Sequence, residues 1–315
     1  MDIRQLQYLV ALARERHFTR AAEACRVTQP TLSGRLRQLE QELGVAIVER
    51  GQRFHGFTPE GERVLAWAQR ILGDVESLGD ELAAMRGSVG GRVSLGVIPS
   101  ALPTAPPLTA LVREALPGVG FTLLSRSSRE ILRQLEEFSL DLGVTYLDRE
   151  PVAHCTTRPL YRERYALFVR AGHPLWAREA VGWAEAAAHP LALLTAEMQN
   201  RRIVDAAFRE AGARPAPELE ADTAMALCAH LLATGVATVL PAFYLGLMGG
   251  RADLRAIPLV SPEVAPMVGL VALERDPQPR LVAAVLSAAA RYRLPAAFGG
   301  AEGDAPGPEG DGKGL

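Results

Sequence analysis

The chain has 315 residues, of which 48% are hydrophobic and 22% charged, with a net charge of -2. This composition is ordinary for a globular protein, and the length suggests about two domains. Charges interrupt the apolar residues of the N-terminal segment, which excludes a signal peptide, and no apolar run reaches the roughly 20 residues of a membrane span. We therefore expect a cytoplasmic protein. The net charge does not by itself indicate a nucleic-acid partner, although residues 1–60 carry nine Arg against seven acidic residues.

Three short helices are predicted at the start of the chain. Apolar residues recur at helical spacing over residues 3–16, and Thr19 is the candidate N-cap of a second helix, Arg20 to Cys25. Thr28 would cap the third helix, which has Pro30 in its first turn. This third helix has a leucine stripe and a closing glycine: Leu32, Leu36, Leu39, Leu43 and Gly44. Three helices in about 40 residues, with a tight turn before the third, are the layout of a helix-turn-helix.

The outward face of the third helix is polar. With Leu32 as the buried direction and about 100° per residue, the outward positions and their neighbours are Gln29, Pro30, Thr31, Ser33, Gly34, Arg37 and Gln38. Gln carries the donor–acceptor pair that fits an adenine edge, Arg fits guanine or phosphate, and a helix N-terminus attracts phosphate. This face predicts a helix that reads DNA. The alternative is a surface helix with a solvated polar face.

A basic hairpin is predicted after this helix. Apolar residues at 45–47 and 54–57 suggest two short strands, and Arg50 and Arg53 lie along them. A basic hairpin that follows a helix-turn-helix is a wing, which can reach the adjacent minor groove or its phosphates.

A long helix is predicted next, from Pro59 to Arg86, with Thr58 as its N-cap. At about 1.5 Å per residue it would be roughly 42 Å long. Its apolar positions alternate four and three apart as a heptad seam: Val64, Ala68, Ile71, Val75, Leu78, Leu82 and Met85. Such a helix has little to pack against within one chain, so the seam favours dimerisation; packing on its own domain is the alternative. The glycine-rich segment 87–92 is expected to be a flexible joint.

From Arg92 the pattern alternates strands and helices, which predicts an α/β domain with a largely parallel sheet. A long extended segment at about 161–175 and a return strand near 267–274 imply two lobes, with the last helix rejoining the first lobe. The tail is rich in Gly, Pro and acidic residues and should be disordered. The predicted domains are 1–58, 59–91 and 92–298, with lobe I at 92–161 and 268–298, lobe II at 162–267, and the tail at 299–315.

The chain resembles the LysR-type transcriptional regulators over nearly its whole length, to about residue 298. The resemblance rests on LQYLVALARERHFTRAAEACRVTQPTLSGRLRQLEQELG, the R-x-x-R and TPEG segments that follow it, DLGVTYL, LYRERYALFVRAGHPL and LLATGVATVLP. It implies a two-domain α+β and α/β protein: an N-terminal winged helix-turn-helix with a linker helix, then a two-lobed effector domain like a periplasmic binding protein. The expected partners are double-stranded promoter DNA, a small effector that could be anionic, further copies of the chain in a dimer or a dimer of dimers, and RNA polymerase.

The resemblance also implies roles for single residues. Gln29, Pro30 and Ser33 would meet the major groove, Thr28, Thr31 and Arg37 would contact phosphates, and Arg50 and Arg53 would lie in the wing. The family often has Arg where this chain has Gly34, so one DNA-contacting arm is missing. Arg35 is included in the DNA-binding set, but it points sideways by roughly 100° and is not assumed to replace that arm. Two further departures are Ile47-Val48 in place of Leu-Phe and Ala237 in place of Gly.

In a two-lobed domain of this kind, a ligand lies where strand ends meet helix N-termini, whose free N–H groups favour carboxylates. The candidates at such positions are Ser100, Thr104, Ser127, Thr195 and Gln199. The alternatives are that Thr104 is an ordinary N-cap and that Ser127 forms a capping box with Glu130. Arg126 or Arg202 could pair with an anionic effector, with a surface salt bridge as the alternative.

No catalytic or metal site is predicted. Cys25, Cys155 and Cys228 lie far apart, so we expect reduced thiols rather than a zinc site or disulfides. His154 beside Cys155 lacks a third ligand nearby, and His230 lies in an apolar helix. No GxSxG, HExxH or P-loop pattern occurs. We therefore expect no enzyme activity and no cofactor; the competing functions are an enzyme on the same two-lobed fold and an architectural DNA-binding protein indifferent to metabolites.

Overall fold

The computed structural model describes residues 1–49, 54–85, 90–149, 152–295 and 298. The predicted wing residues Arg50 and Arg53 and the predicted tail lie outside this part, as does the side chain of Met85. The chain forms two compact units, one of Met1–Gly90 with Arg133–Leu140 and the other of Gly91–Leu132 with Asp141–Leu315. Among the described residues, no helix combines the length and the hydropathy that crossing a bilayer requires.

The first unit is built on four helices: α1 (Ile3–Glu15), α2 (Phe18–Ala24), α3 (Gln29–Leu43) and α4 (Pro59–Met85). As predicted, Thr28 is the N-cap of α3 and Gly44, with φ of 70°, ends it. The predicted cap of α2 was wrong. The helix begins at Phe18 because the Nδ1 atom of His17 accepts the Thr19 N–H at 3.2 Å, so His17 is the N-cap.

The sequence predicts a hairpin of two short strands between α3 and α4, whereas the described residues of this segment form a single bridge. Val48 and Phe57 make an antiparallel bridge, and the Glu49 N–H donates to the Gly56 carbonyl at 3.1 Å. Thr58 caps α4 as predicted, because its Oγ1 accepts the Gly61 N–H at 2.9 Å. Gly61 is required here: a Cβ at this position would lie 2.0 Å from the Ile47 carbonyl oxygen.

The predicted heptad seam of α4 divides into two halves, which corrects its description as one dimer surface. Val64, Ala68 and Ile71 pack on the core of their own unit, and Ala68 is 1% exposed. The reason is that α1 packs along the first half of α4. Val75, Leu78 and Leu82, further along, are 46%, 57% and 50% exposed.

The second unit contains two sheets. The first sheet has the strand order β2-β1-β3-β11-β4, from β1 (Gly90–Val97), β2 (Gly118–Ser125), β3 (Leu142–Tyr146), β4 (Cys155–Arg162) and β11 (Met267–Leu273). The second has the order β6-β10-β5-β9-β7-β8, from β5 (Tyr165–Arg170), β6 (Val181–Gly182), β7 (Leu191–Leu194), β8 (Leu219–Ala221), β9 (Ala237–Pro241) and β10 (Leu254–Val260). Each sheet is the centre of one lobe.

Seven helices accompany these sheets in the described ranges: α5 (Ala105–Ala115), α6 (Ser128–Glu136), α7 (Trp183–Ala187), α8 (Gln199–Glu210), α9 (Ala224–Thr234), α10 (Tyr244–Leu247) and α11 (Arg280–Ala289). A 3-10 helix, Pro99–Thr104, leads directly into α5. The helix α11 packs against α5, so it rejoins the first lobe, as predicted for the last helix.

The chain crosses between the lobes twice, at 163–164 and at 261–266. The predicted extended segment at 161–175 is therefore two strands, β4 and β5, which belong to different sheets. The prediction of a largely parallel sheet was too strong. β1 pairs with β3 in parallel, but the strands beside the crossings, β11 and β5, pair antiparallel with their neighbours. Both sheets are mixed because a chain that returns through a crossing enters its sheet in the opposite direction.

Candidate nucleic-acid interface and effector cavity

The N-terminal end of α3 presents the polar side chains that the sequence predicts. Thr28, Gln29, Pro30 and Thr31 are exposed, and Ser33 is half-buried. The Gln29 Nε2 atom donates to the Ser33 Oγ at 3.0 Å. The opposite face carries Leu32, Leu36 and Leu39 into the core of the unit. The helix is therefore anchored by its leucines while its front end remains open to a partner.

An open groove of about 800 Å³ lies between α3 and the hairpin. Its polar lining includes Gln29, Ser33, Arg37, Glu40, Gln41 and Glu49. Arg37 is exposed, one turn beyond Ser33. Because the N-terminus of a helix carries a partial positive charge, the front end of α3 and Arg37 together favour an anion such as a phosphate.

Arg35 points to a different part of the surface from Arg37. Its Nη1 atom lies 3.7 Å from the Asp2 Oδ2 and donates to the Gln38 Oε1 at 3.3 Å. Its guanidinium therefore faces the start of α1. A Cβ added to the neighbouring Gly34 would meet no described atom within 4 Å, so a side chain would fit there.

Glu40 is a residue of this region that sequence reasoning missed. Its Oε1 atom accepts the N–H groups of Ile47 and Val48, at 2.8 and 3.1 Å. On the other side of the same segment, the Thr58 N–H donates to the Ile47 carbonyl at 3.0 Å. The start of the hairpin is thus held by α3 on one side and by the start of α4 on the other.

The second candidate site is a small cavity between the two lobes. It is lined by Ile98, Pro99, Ser100, Ser127, Ser128, Tyr146, Leu194, Met198, Gln199 and Asn200. Its free volume of about 10 Å³ is room for about one water molecule. A larger ligand would have to separate the lobes or displace side chains.

The topology explains why these residues meet. Ser100 follows β1 and Tyr146 ends β3, and the two strands are parallel neighbours, so their carboxyl ends lie at one edge of the sheet. The N-termini of α6 and α8 reach the same cavity with Ser127 and Gln199. Met198, the N-cap of α8, makes no side-chain capping bond. Two helix N-termini that meet at one cavity favour a negatively charged group there.

Three of the five predicted effector residues line this cavity: Ser100, Ser127 and Gln199. Ser127 also forms the capping box, since its N–H and Oγ donate to the Glu130 Oε2 at 2.9 and 2.8 Å. Gln199 donates from Nε2 to the Arg149 carbonyl at 3.4 Å, across the two lobes.

Thr104 and Thr195 do not line the cavity. Thr104 is buried, and its Oγ1 donates to the Ala101 carbonyl at 2.8 Å instead of capping α5. Thr104 does occupy the predicted N-cap position of α5, but it makes no side-chain capping bond, and the 3-10 helix continues directly into α5. Arg126 donates to the Ser125 carbonyl, and Arg202 donates to Gln199 at 2.6 Å, so each has a partner on its own lobe.

Behind the cavity lies a buried polar cluster that the sequence interpretation missed. The Oε1 atom of Glu163 accepts hydrogen bonds from Tyr146 Oη at 2.7 Å, Tyr165 Oη at 2.9 Å and Asn200 Nδ2 at 3.2 Å. Ser100 Oγ lies 3.0 Å from Tyr146 Oη. Glu163 is 0% exposed and lies at the first crossing, so this cluster joins both lobes. The sequence held a signal for Tyr146 alone, which ends a buried strand beside the strand that leads to Ser100.

The electrostatics of this cluster are unusual. Burial raises the pKa of Glu163, although the hydroxyls and amide that donate to it lower that pKa in part. Burial, and then the Glu163 charge, raise the pKa of Tyr146 well above its usual value. The second carboxyl oxygen of Glu163, Oε2, is buried and has no hydrogen-bond partner among the described residues; the same is true of Ser128 Oγ at the cavity wall.

The three cysteines are free thiols. Burial raises the pKa of Cys228 to about 11, and burial also raises the pKa of Cys25. Within the described residues, no three His, Cys, Asp or Glu side chains are grouped as a metal site requires.

Two family models match the chain. Residues 3–62 match the model described as "Bacterial regulatory helix-turn-helix protein, lysR family", and residues 86–293 match "LysR substrate binding domain". The chain is 34% identical over 274 residues to the "DNA-binding transcriptional dual regulator OxyR" of Escherichia coli K12, covering 86% of this chain and 89% of that protein.

Two further comparisons agree with these matches. The chain is 31% identical over 282 residues to the "Hydrogen peroxide-inducible genes activator" of Haemophilus influenzae, covering 86% and 90% of the two chains. The fold is similar to that of a full-length OxyR variant from Pseudomonas aeruginosa, with a TM-score of 0.74, 26% identity and coverage of 93% and 96%.

Proposed function

This chain belongs to the LysR family of bacterial transcriptional regulators, and from that premise we propose which of its residues bind promoter DNA and which bind the effector. It is a DNA-binding transcriptional regulator with a helix-turn-helix and an effector-binding domain. The proposed domains are 1–58, 59–91 and 92–298. We also propose that it has no enzymatic activity and acts in the cytoplasm, where promoter DNA is found.

The open front end of α3 carries the DNA-binding proposal. Gln29 and Ser33 are proposed to read base edges in the major groove, and Thr28, Thr31 and Arg37 to contact phosphates, because these side chains surround one accessible groove while the leucines hold the helix from behind. Pro30 fixes the first turn of the helix. Arg50 and Arg53 are proposed to contact DNA from the wing. Arg35 is proposed as a support, since it faces Asp2.

Gel-shift assays with the gene's own upstream DNA and a scrambled duplex test this division of roles. We expect Gln29→Ala to lose about 1–3 kcal/mol on the specific DNA and little on the scrambled DNA. Arg37→Ala should weaken both complexes alike and reduce the slope of the salt dependence by about one. Arg14→Ala, which removes an exposed arginine of α1 in the same unit, is the control. Equal losses on both duplexes for Gln29→Ala and Arg37→Ala would contradict the assignment.

The effector is proposed to bind at the cavity between the lobes, in contact with Ser100, Ser127 and Gln199, and to be a small anion. The support is the meeting of the α6 and α8 N-termini there, together with the unpartnered hydroxyl of Ser128. Thr104 and Thr195 are left out of this proposal because they do not line the cavity. A dimer held through the exposed half of α4, a dimer of dimers on DNA and a contact with RNA polymerase complete the proposed assembly.

Relatives named for hydrogen peroxide raise the question of whether this chain senses an oxidant. We propose that it does not do so through Cys25 or Cys228, because peroxide reacts with thiolates and burial raises the pKa of both thiols. Cys155 and Cys228 lie on β4 and α9, in different lobes. In a Cys155→Ser variant, DNA binding should therefore be the same before and after a brief treatment with peroxide. A shift in affinity that dithiothreitol reverses would refute this.

A further inference from the structure

The protons that each group carries determine which group donates in the hydrogen bonds behind the effector cavity. Glu163 Oε1 accepts hydrogen bonds from two hydroxyls and an amide N–H, so a proton that this carboxyl group retains belongs on the other oxygen, Oε2. Tyr146 has a single hydroxyl proton, and it is donated to Glu163 at 2.7 Å. The Tyr146 oxygen can then only accept from its other neighbours.

Ser100 is the next member of this chain of hydrogen bonds. Its Oγ lies 3.0 Å from Tyr146 Oη, and because the tyrosine proton is already used, Ser100 must be the donor. Ser100 also has only one proton. Toward the cavity, the Oγ of Ser100 therefore presents lone pairs and no donor. The protons of Ser100 and Tyr146 both point away from the ligand space.

Other groups of the cavity lining have the reverse character. The N-termini of α6 and α8 present partial positive charge, Met198 leaves α8 without a side-chain cap, and Ser128 Oγ is buried at the wall with no partner among the described residues. Part of the cavity lining thus accepts hydrogen bonds, and another part attracts an anion. A ligand that satisfies both parts needs a negatively charged group and, beside it, an O–H or N–H donor.

We propose that Glu163 sets this polarity through Tyr146 and Ser100, and that the effector is a small carboxylate that carries a hydroxyl or amino group next to the carboxylate. This deepens, and rests on, the proposal that an anionic effector binds at the cavity. Glu163 is a positioning residue in this scheme, because it acts on the ligand only through Tyr146 and Ser100. Its burial and its place at the crossing between the lobes hold the hydrogen-bond chain in one direction.

The test uses two probes of nearly equal size, glycolate and fluoroacetate, titrated into the full-length protein by calorimetry. Both are carboxylates, but fluorine replaces the hydroxyl donor of glycolate. We expect glycolate to bind at least fivefold more tightly. The Ser100→Ala variant lacks the acceptor, and in Glu163→Gln an amide that can donate replaces the carboxyl group. In both variants the ratio of the fluoroacetate and glycolate dissociation constants should fall to about one. A thermal melting curve followed by circular dichroism, compared with that of the unaltered protein, reports that the effector domain of each variant is folded.

Thr145→Val is the matched control. Thr145 is buried on β3 next to Tyr146, and its hydroxyl has no hydrogen-bond partner in the described part of the chain, so this variant should keep the glycolate preference. Equal binding of the two probes to the unaltered protein would overturn the polarity inference while leaving the anion site intact. A preference that persists in Ser100→Ala and Glu163→Gln would also overturn it. If neither probe bound, the anion site itself and this inference would both be wrong, whereas DNA binding would be unaffected.

Discussion

Glu163, which is buried, and His173, which is half-buried, show how single groups make the stability of the fold depend on pH. Burial raises the pKa of Glu163 above its value in an unfolded chain. Its contribution to stability is therefore largest at low pH and is lost as the pH rises through the raised pKa. Glu163 is a buried carboxyl group, and one of its oxygens has no hydrogen-bond partner among the described residues. Such a group costs stability, which indicates a functional role.

His173 has the opposite dependence. Burial, and then the neighbouring His189, lower the pKa of His173, and the neutral Nδ1 atom accepts the Leu175 N–H at 3.1 Å. Since the lowered pKa favours the neutral form in the folded state, this contribution is present above the usual histidine pKa and is lost as the pH falls. We expect the unaltered protein to lose more thermal stability than His173→Asn between about pH 7.5 and about pH 5.5, because the Asn Oδ1 can accept the same N–H without titrating. Parallel melting curves for the two proteins would refute this.

At the scale of elements, α4 combines a close contact at its start with open space further along. A Cβ at Gly61 would lie 2.0 Å from the Ile47 carbonyl oxygen, whereas a Cβ at Gly73 meets no described atom within 4 Å. The same substitution should therefore have opposite effects at the two positions. The difference isolates the contact between α4 and the hairpin from the general preference of helices for alanine.

We expect Gly73→Ala to stabilise the protein by about 1 kcal/mol, the usual helix-propensity gain. Gly61→Ala should destabilise it by about 1–3 kcal/mol or more, because the backbone at Ile47 must shift. Chemical denaturation monitored by circular dichroism measures both. Similar gains in the two variants would show that the hairpin does not pack tightly against α4.

The elements themselves were largely predictable from the sequence because their signals are local. The caps at Thr28, Gly44 and Thr58 were found in this way. The cap of α2 was missed because His17 accepts a backbone N–H through its ring nitrogen, and histidine is not among the usual capping residues. The antiparallel pairing of β5 and β11 could not be read from the pattern either, since direction depends on where the chain crosses between lobes.

The same limit applies to the candidate sites. The front end of α3 was predictable because its residues are contiguous and their spacing defines one face. The effector cavity was only half predicted: Ser100, Ser127 and Gln199 stand at strand or helix ends that the sequence shows, whereas Glu163, Tyr146 and Asn200 meet only through the packing of two lobes. Contacts between distant segments carry no local pattern.

At the scale of the whole molecule, the exposed half of α4 is the surface that the proposed dimer would cover. We expect Leu78→Glu to give monomers in sedimentation velocity, because it places a charge in the middle of the row formed by Val75, Leu78 and Leu82. Gly73→Glu, about 140° around the helix, is the control and should remain dimeric. A Leu78→Glu protein that stays dimeric would place the subunit contact elsewhere.

The two attachments of the hairpin bear on which spacing between operator half-sites a dimer could bind. The Ile47–Val48 segment is hydrogen-bonded both to the carboxylate of Glu40 on α3 and to Thr58, the N-cap of α4. We therefore expect α3, the proposed DNA-binding helix, to move together with α4. In the proposed dimer, the crossing angle between the two α4 helices would then determine the distance between the base pairs that each subunit contacts. A dimer that binds operators of different half-site spacing would then have to change the contact between its two α4 helices, and not a loop within one subunit.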